Sequence, residues 1–188
     1  MIAVDSVKAE GAKDMKLIVP KATAKKLISM GVIDDVTLTY TKNSAVFKSD
    51  EYTVYTRLIE GKYFAYQKMF TEGEINTCAS RTALIGAMTR AKMCTEEKQP
   101  AVFQIEDDVL NTSIRDKLAD YQEQVPLQET VCKSIRLGFD SRLVLETLKA
   151  FTCDNISLGF TSPRTPMIVE AEDSDMKAMV LPVAIREV

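Results

Sequence analysis

The stretch IRLGFDSRLVLETLKAF (residues 135–151) combines a short apolar strand, a capping residue and a helix with one apolar face. The same order of features occurs twice earlier, in KLIVPKATAKKLISM (16–30) and INTCASRTALIGAMTRAK (75–92). The three predicted helices begin 60 and 61 residues apart, near Pro20, Ser80 and Ser141. Such an even spacing indicates one supersecondary unit that is used three times.

Short segments rich in β-branched and aromatic residues follow each helix, and in the first unit two-residue polar breaks separate them, which is typical of a β-hairpin meander. The predicted strands cover residues 36–41, 44–48, 51–59, 100–106, 109–115, 155–161, 165–171 and 176–183. A further strand is expected before Val131. Each unit therefore reads β-α-β-β-β, which predicts an α+β fold with antiparallel sheets and helices on one face. The segment 61–74 is the expected join between a domain at 1–70 and a domain at 71–188.

The composition argues against several classes of enzyme. The 188 residues include no histidine, so the commonest general base and metal ligand is missing, and no phosphate-binding glycine motif is present. Three acidic clusters are predicted to be solvated turns rather than a magnesium site: Asp34-Asp35, Glu106-Asp107-Asp108 and Glu170 to Asp173. The sequence thus predicts no catalytic residue, no metal and no cofactor.

Features that the sequence lacks also predict the environment of the chain. It has no apolar run long enough to span a bilayer, and the stretch MIAVDSVKAE lacks a signal-peptide pattern. The four cysteines are scattered without a CxxC pair, which favours reduced thiols. We therefore expect a cytoplasmic protein with no membrane partner.

The three predicted helices share a positive charge. Together they carry a net charge of +7, whereas the whole chain carries −3. Their basic residues are Lys21, Lys25, Lys26, Arg81, Arg90, Lys92, Arg142 and Lys149. Lys and Arg are also good helix formers on a solvated face, which is the alternative interpretation. If the face binds DNA, the absence of a base-reading pattern favours contact with the duplex backbone regardless of sequence.

Several segments resemble the bacterial sliding clamp, the beta subunit of DNA polymerase III. YTVYTRLIEGKYFAYQKMF (52–70) resembles the end of the middle clamp domain, where the family has a pattern close to RLIDGKFPDY. SPRTPMIVEAED (162–173) and MVLPV (179–183) are similar to the last hairpin and the last strand of the clamp. The resemblance implies a DNA-clamp fold, with antiparallel sheets outside and basic helices inside a ring that encircles duplex DNA. The eight basic residues would then face the DNA.

The resemblance also implies two protein contacts. A pocket in the family takes short linear peptides from DNA polymerase III, the clamp loader and repair proteins. Its positions here would be Lys8, Lys68, Met69, Asp140, Leu143, Arg164, Pro166, Met179, Val180, Leu181, Pro182 and Val183. For Val180 and Leu181, the alternative is that they fill the core. Met93 and Cys94 would lie at the contact between ring subunits.

The sequence departs from the family in its number of units. The family protomer has six units and this chain has three, so it resembles the C-terminal half. The first unit, without its partner, would expose an apolar helix face and a strand edge. We therefore expect self-association through this unit, or poor order in it. The alternative function is a truncated clamp-like module that binds clamp-directed peptides without closing a ring on DNA; a third possibility, an enzyme on a similar scaffold, has no supporting motif.

Overall fold

The computed structural model describes residues 1–8, 14–31, 35–63, 65–94, 99–115 and 120–185. Its elements in chain order are β1 (Ile2–Val4), α1 (Lys21–Ser29), β2 (Thr37–Tyr40), β3 (Ser44–Lys48), β4 (Thr53–Arg57), a 3-10 helix (Tyr66–Met69), β5 (Ile75–Ser80), α2 (Arg81–Met93), β6 (Ala101–Arg115), β7 (Asp120–Phe139), α3 (Ser141–Ala150), β8 (Asn155–Phe160), β9 (Met167–Glu170) and β10 (Lys177–Val180).

The chain forms two compact units. We call Met1–Lys8 with Tyr66–Val188 unit 1, and Ala9–Ala65 unit 2. The first residues of the chain thus belong with unit 1. The predicted domain division at residues 70 and 71 stays a prediction.

Unit 2 is one helix with a three-stranded antiparallel sheet in the order β2-β3-β4. A hydrogen bond of 2.7 Å between the Thr23 and Thr56 hydroxyls joins α1 to β4. None of the α1 side chains is buried, because the small sheet covers only part of the apolar face of the helix. Ile28 is 80% exposed, although it lies on the face that the helical period predicts to be internal.

Unit 1 contains a seven-stranded sheet in the order β1-β10-β9-β8-β5-β7-β6, in which neighbouring strands are antiparallel. Alternate residues of its strands point to one face and form a single hydrophobic core with α2 and α3. Helices on one face of an antiparallel sheet define an α+β fold, which confirms the prediction from the sequence.

The longest strands differ from the prediction. Residues 100–106 and 109–115 are predicted as two strands, but β6 runs through both of them. A β-bulge lies between them, where the register with β7 shifts on both sides of Asp107, and this residue has a φ of 52°. The acidic cluster Glu106-Asp107-Asp108 therefore lies within a strand and not in a turn, and that prediction is wrong. Asp34, from the first predicted acidic turn, lies outside the described residues.

The end of the chain also differs from the prediction. The sequence predicts a strand over 176–183, whereas β10 ends at Val180. The chain then crosses to β7, where the Val183 amide donates a hydrogen bond of 2.7 Å to the Gly138 carbonyl. There is space for this crossing because Gly138 has no side chain: a Cβ atom there would lie 2.7 Å from the Val183 carbonyl oxygen. At the opposite end of the chain, β1 pairs with β10, and the sequence analysis does not place this strand.

Candidate nucleic-acid interface and peptide site

Helix α2 begins at a side-chain cap. The Ser80 hydroxyl accepts a hydrogen bond of 3.4 Å from the Ala83 amide, as is usual for serine at this position. Four of its side chains are buried in the core: Leu84, Ala87, Met88 and Ala91. The exposed residues are Thr82, Thr89, Arg90, Lys92 and Met93. On the helix, the three neutral residues of this set lie along the middle of the exposed face, and Arg90 and Lys92 lie on its two sides.

Helix α3 begins at Asp140, whose carboxylate accepts a hydrogen bond of 2.8 Å from the Arg142 amide. Its core side consists of Ser141, Val144, Leu145, Thr147 and Leu148. The exposed face carries Arg142, Glu146 and Lys149, which have the spacing of one helical stripe. This face has a net charge of +1.

The two helices pack against each other on the same face of the sheet. Arg142, Lys149 and Lys92 are therefore exposed on one helical layer of unit 1. Lys21, Lys25 and Lys26 are exposed on α1 of unit 2. A layer with several exposed cations attracts polyanions through its local field, although the whole chain is negative.

Two of the predicted DNA-facing residues have partners inside unit 1. Arg81 donates a hydrogen bond of 2.6 Å from its Nε to the Cys153 carbonyl and is half-buried. Arg90 forms a two-point contact with the Glu123 carboxylate on β7, with Nε–Oε2 at 2.7 Å and Nη2–Oε1 at 2.5 Å. These two arginines therefore stabilise the fold in this structure, and their assignment as DNA contacts stays a prediction.

The Arg90–Glu123 pair belongs to a small polar network. The hydroxyl of Tyr121, which is buried, lies 2.8 Å from Oε2 of Glu123 and 2.9 Å from the Ala87 carbonyl of α2. Burial raises the pKa of Tyr121 to about 12, so the phenol stays protonated at neutral pH and can donate a hydrogen bond. Hydrogen bonds from Arg90 lower the pKa of Glu123, so its carboxylate is charged.

The predicted peptide site centres on the end of β10. Val180 is fully buried in the core, so we leave its side chain out of the proposed contact surface. Met179 is also fully buried, but its side chain lies on the opposite face of the sheet from the core, beside Ile168 and Ile2. After the strand, Leu181 is 49% exposed and Val183 is 42% exposed. These two are the most exposed apolar side chains of the predicted site.

The crossing of the chain end places other predicted residues nearby. Val183 pairs with Gly138, which precedes Asp140 by two residues, and half-buried Leu143 lies in the first turn of α3. Pro166 directly precedes β9, whose first residue, Met167, pairs with Val180 at the end of β10. Arg164 is exposed in the turn before it, and half-buried Pro182 lies between Leu181 and Val183. The structure thus brings several predicted positions to one end of the sheet.

Three predicted positions are not joined to this group by a described contact. Lys68 and Met69 lie in the 3-10 helix, where Lys68 is exposed and Met69 is half-buried. Lys8 is exposed and follows β1, which runs toward the opposite end of β10. Their place in a peptide site stays a prediction.

The predicted ring contact lies at the end of α2. Met93 is 82% exposed and Cys94 is half-buried. The four cysteines all lie in the described ranges and are free thiols, and burial raises the pKa of Cys78. In the described part of the chain, no cluster of His, Cys, Asp or Glu side chains is arranged to hold a metal ion. The described helices are also too short or too polar to span a membrane.

Two residues that shape these surfaces, Glu123 and Gly138, are not predicted from the sequence. Glu123 forms the ion pair with Arg90. The two residues are 33 positions apart in the sequence, so no periodic pattern indicates their contact. Gly138 makes room for the chain end, and glycine in a predicted strand is the signal that could have indicated a close backbone approach.

Comparison with solved structures defines the class of protein as one with the DNA-clamp fold. The DNA polymerase sliding clamp from Bacillus subtilis has a TM-score of 0.88, with 16% identity over 98% of this chain and 51% of that protein. A DNA polymerase III beta subunit from Eubacterium rectale has a TM-score of 0.86 and 23% identity, over 96% of this chain and 51% of that protein. At such identities the likeness shows the fold alone.

The family follows from the sequence. The family model for the DNA polymerase III beta subunit, C-terminal domain, matches residues 70–184, which is most of unit 1, and the chain belongs to this family. The beta sliding clamp of Staphylococcus aureus is 25% identical over 97% of this chain and 50% of its own length. The chain therefore spans about half the length of the curated relatives that it matches.

Proposed function

We propose that this chain acts in DNA replication as part of a sliding clamp, a processivity factor that encircles duplex DNA and tethers the replicative polymerase. The observation that carries the proposal is the family match over both helices of unit 1, together with the cations Lys92, Arg142 and Lys149 exposed on that layer. We further propose that sheets form the outside of the ring and basic helices its inside.

The DNA contact that we propose does not depend on sequence. Lys and Arg side chains attract the phosphate backbone, whereas sequence is read by side chains that enter a groove. The exposed residues of α2 and α3 are threonine, methionine, alanine and charged side chains, with no Asn or Gln for pairing with adenine. Encirclement would then retain the protein on DNA, and binding of a polymerase to it would raise the effective concentration of that polymerase at the primer end.

We propose that DNA polymerase III and clamp loader subunits bind at the end of β10 through short linear peptides. Exposed Leu181 and Val183 would supply the apolar contact, and Asp140, Leu143, Arg164 and Pro166 would border it. An apolar surface with a few polar groups at its rim is typical of a peptide site. Such a function needs no catalytic residue, metal or cofactor, and we propose that the chain is not an enzyme.

Retention on circular DNA tests encirclement. The purified chain is incubated with a nicked circular duplex and with the same duplex after linearisation, and each mixture is separated by gel filtration. A ring stays on the circle and slides off the linear ends, so retention should be high on the circle and lost on linearisation. Equal retention on both forms, or retention on neither, would exclude encirclement by this chain.

A second candidate function is a clamp-like module that binds clamp-directed peptides without encircling DNA. One observation favours it: every predicted peptide-site position lies in unit 1. Peptide binding is measured by fluorescence anisotropy with a labelled Gln-Leu-x-Leu-Phe peptide. Leu181→Asp should weaken binding at least tenfold, whereas Met93→Asp, at an exposed apolar position at the end of α2, should leave it unchanged. Peptide binding without circle-specific retention would establish this second function.

A further inference from the structure

Arg90 is the one predicted DNA-facing residue for which the described contacts show a two-point ion pair. Its Nε and Nη2 atoms both donate to Glu123, at 2.7 Å and 2.5 Å. The guanidinium is nevertheless on the surface, since 57% of the Arg90 side chain and 24% of the Glu123 side chain are exposed. The pair therefore joins α2 to β7 at a place that solvent, and a ligand in solvent, can reach.

Groups on α2 and β7 lie close to both Arg90 and Glu123. A Cβ atom on Gly86 would lie 3.0 Å from Nη2 and 3.6 Å from Cζ of Arg90, so the guanidinium lies against the helix surface at Gly86. On the other side, the Tyr121 hydroxyl lies 2.8 Å from Oε2 of Glu123 and orients the carboxylate. Tyr121 is itself buried and is 2.9 Å from the Ala87 carbonyl of α2. The Glu123 carboxylate is thus oriented by a buried neighbour, and the Arg90 guanidinium lies along the helix surface within reach of it.

We propose that Glu123 takes the place of a DNA phosphate at Arg90. Its carboxylate binds the guanidinium edge that a phosphate would bind, and this weakens the binding of α2 to the duplex. This inference rests on the proposed DNA-binding function. Carboxylate and phosphate compete for the same edge of a guanidinium, because both accept two parallel hydrogen bonds from it. While Glu123 holds Nε and Nη2, a phosphate cannot make the two-point contact with that edge.

The consequence is a smaller number of phosphate contacts than the count of basic residues suggests. Each Lys or Arg that neutralises a phosphate adds about one to the salt dependence of DNA binding. Removing Arg90 from this count lowers both the affinity and the salt dependence. A surface that moves along DNA has to release its phosphates continually, and an internal carboxylate beside an arginine favours that release.

Three variants test the masking of Arg90: Glu123→Gln, Arg90→Gln and the double variant. Binding of the full chain to a short labelled duplex is measured by fluorescence anisotropy from low to moderate salt. Glu123→Gln keeps the size of the side chain and removes its charge. It should tighten binding about threefold or more at low salt and steepen the log Kd against log salt slope by about one. Arg90→Gln alone should change binding less than twofold, and the double variant should lose the gain.

Two controls separate this inference from the proposed function. Glu129→Gln removes one negative charge from an exposed position of the same strand and should give less than half of the gain, since no described contact joins it to Arg90. Arg142→Gln with Lys149→Gln should weaken binding if the helices contact DNA. One outcome would overturn the masking and keep the DNA-binding function. In it, the Arg142→Gln, Lys149→Gln variant loses DNA binding, Glu123→Gln binds DNA no more tightly than the original chain, and Arg90→Gln binds it more weakly. No salt-dependent binding by any variant would overturn both. Thermal unfolding of each variant confirms that it is folded.

Discussion

At the scale of single residues, Gly138 is a position where even one added methyl group should disturb the structure. In Gly138→Ala the new Cβ atom would lie 2.7 Å from the Val183 carbonyl oxygen, and 3.1 Å from Cβ of Pro100. Since the first of these is a backbone atom, the chain end has to move, and its hydrogen bond to the Gly138 carbonyl is lost. We expect a loss of about 1–3 kcal/mol in the free energy of unfolding, measured by urea denaturation, and faster hydrogen exchange at the Val183 amide.

Gly86→Ala is the matched control for this prediction. Its nearest neighbour would be Nη2 of Arg90 at 3.0 Å, the far end of a flexible side chain that can move aside. Alanine is also favoured over glycine in a helix interior by about 1 kcal/mol. Gly86→Ala should therefore be no less stable than the original chain. A Gly138→Ala variant that unfolds at the same urea concentration, with a Val183 amide that stays protected, would contradict the packing argument.

Residue type was enough to predict some of these roles. Serine and aspartate suit the N-cap position because their side-chain oxygens can accept a first-turn amide, and the structure shows Ser80 and Asp140 as the caps of α2 and α3. The positive charge of Arg81 and Arg90 is equally plain in the sequence. Their partners are not, because the Cys153 carbonyl is 72 residues from Arg81 and Glu123 is 33 residues from Arg90. Only the folded chain shows which cations already have a partner.

At the scale of elements, the two capped helices differ in how strongly their caps bind. The Asp140 carboxylate accepts at 2.8 Å and also lies at the positive end of the α3 dipole, whereas the Ser80 hydroxyl accepts at 3.4 Å. Asp140→Ala should lower the free energy of unfolding by about 1 kcal/mol. Ser80→Ala should lower it by less, because the longer hydrogen bond is weaker.

Urea denaturation of both variants and of Asp140→Asn checks this order. Asparagine can still accept the Arg142 amide, so it should keep most of the stability and remove only the charge. Asp140 is also a proposed border of the peptide site, and the Asn variant therefore separates helix capping from an effect of charge on peptide binding. A Ser80→Ala variant as unstable as Asp140→Ala would show that cap distance does not set the order.

The strands show where a period in the sequence is insufficient. The alternation of apolar residues predicts both halves of β6, but it breaks at Glu106-Asp107-Asp108, and the break looks like a turn. In the structure a β-bulge absorbs it and the strand continues, since β7 supplies partners on both sides of Asp107. The alternating pattern of a sequence shows which face of the sheet each side chain points to. Whether the strand continues through a break in the pattern depends on a partner strand that is distant in sequence.

At the scale of the whole molecule, the sequence pattern predicts three β-α-β-β-β repeats but not how two of them share a strand. The second and third repeats of the sequence, which both lie in unit 1, share β7: residues 120–126 pair with the second half of β6, and 131–139 pair with the first half. The same strand also accepts the end of the chain at Gly138. One strand thus belongs to both the second and the third repeat. A count of separate β-α-β-β-β repeats does not reveal this sharing.

Helix α1 of unit 2 is covered less than α2 and α3, and this leads to a prediction about assembly. Helices α2 and α3 bury four and five side chains, whereas α1 buries none and leaves Ile28 80% exposed. In unit 2, Tyr55 is 65% exposed and Tyr63 is 61% exposed. Covering exposed apolar surface lowers the free energy by about 25 cal/mol per Å². We expect the purified chain to self-associate through unit 2, with an average mass that rises with concentration.

Sedimentation velocity over a range of concentrations measures this association. Ile28→Glu places a charge on the α1 face and should raise the dissociation constant about tenfold or more, since burying an isoleucine contributes roughly 1.5–3 kcal/mol. Met93→Glu alters a side chain of equal exposure in unit 1 and should leave the constant unchanged. If Met93→Glu alone abolished association, the contact would lie at the end of α2, the predicted ring interface. A chain that stays monomeric at every concentration would exclude both contacts, because each requires a second copy.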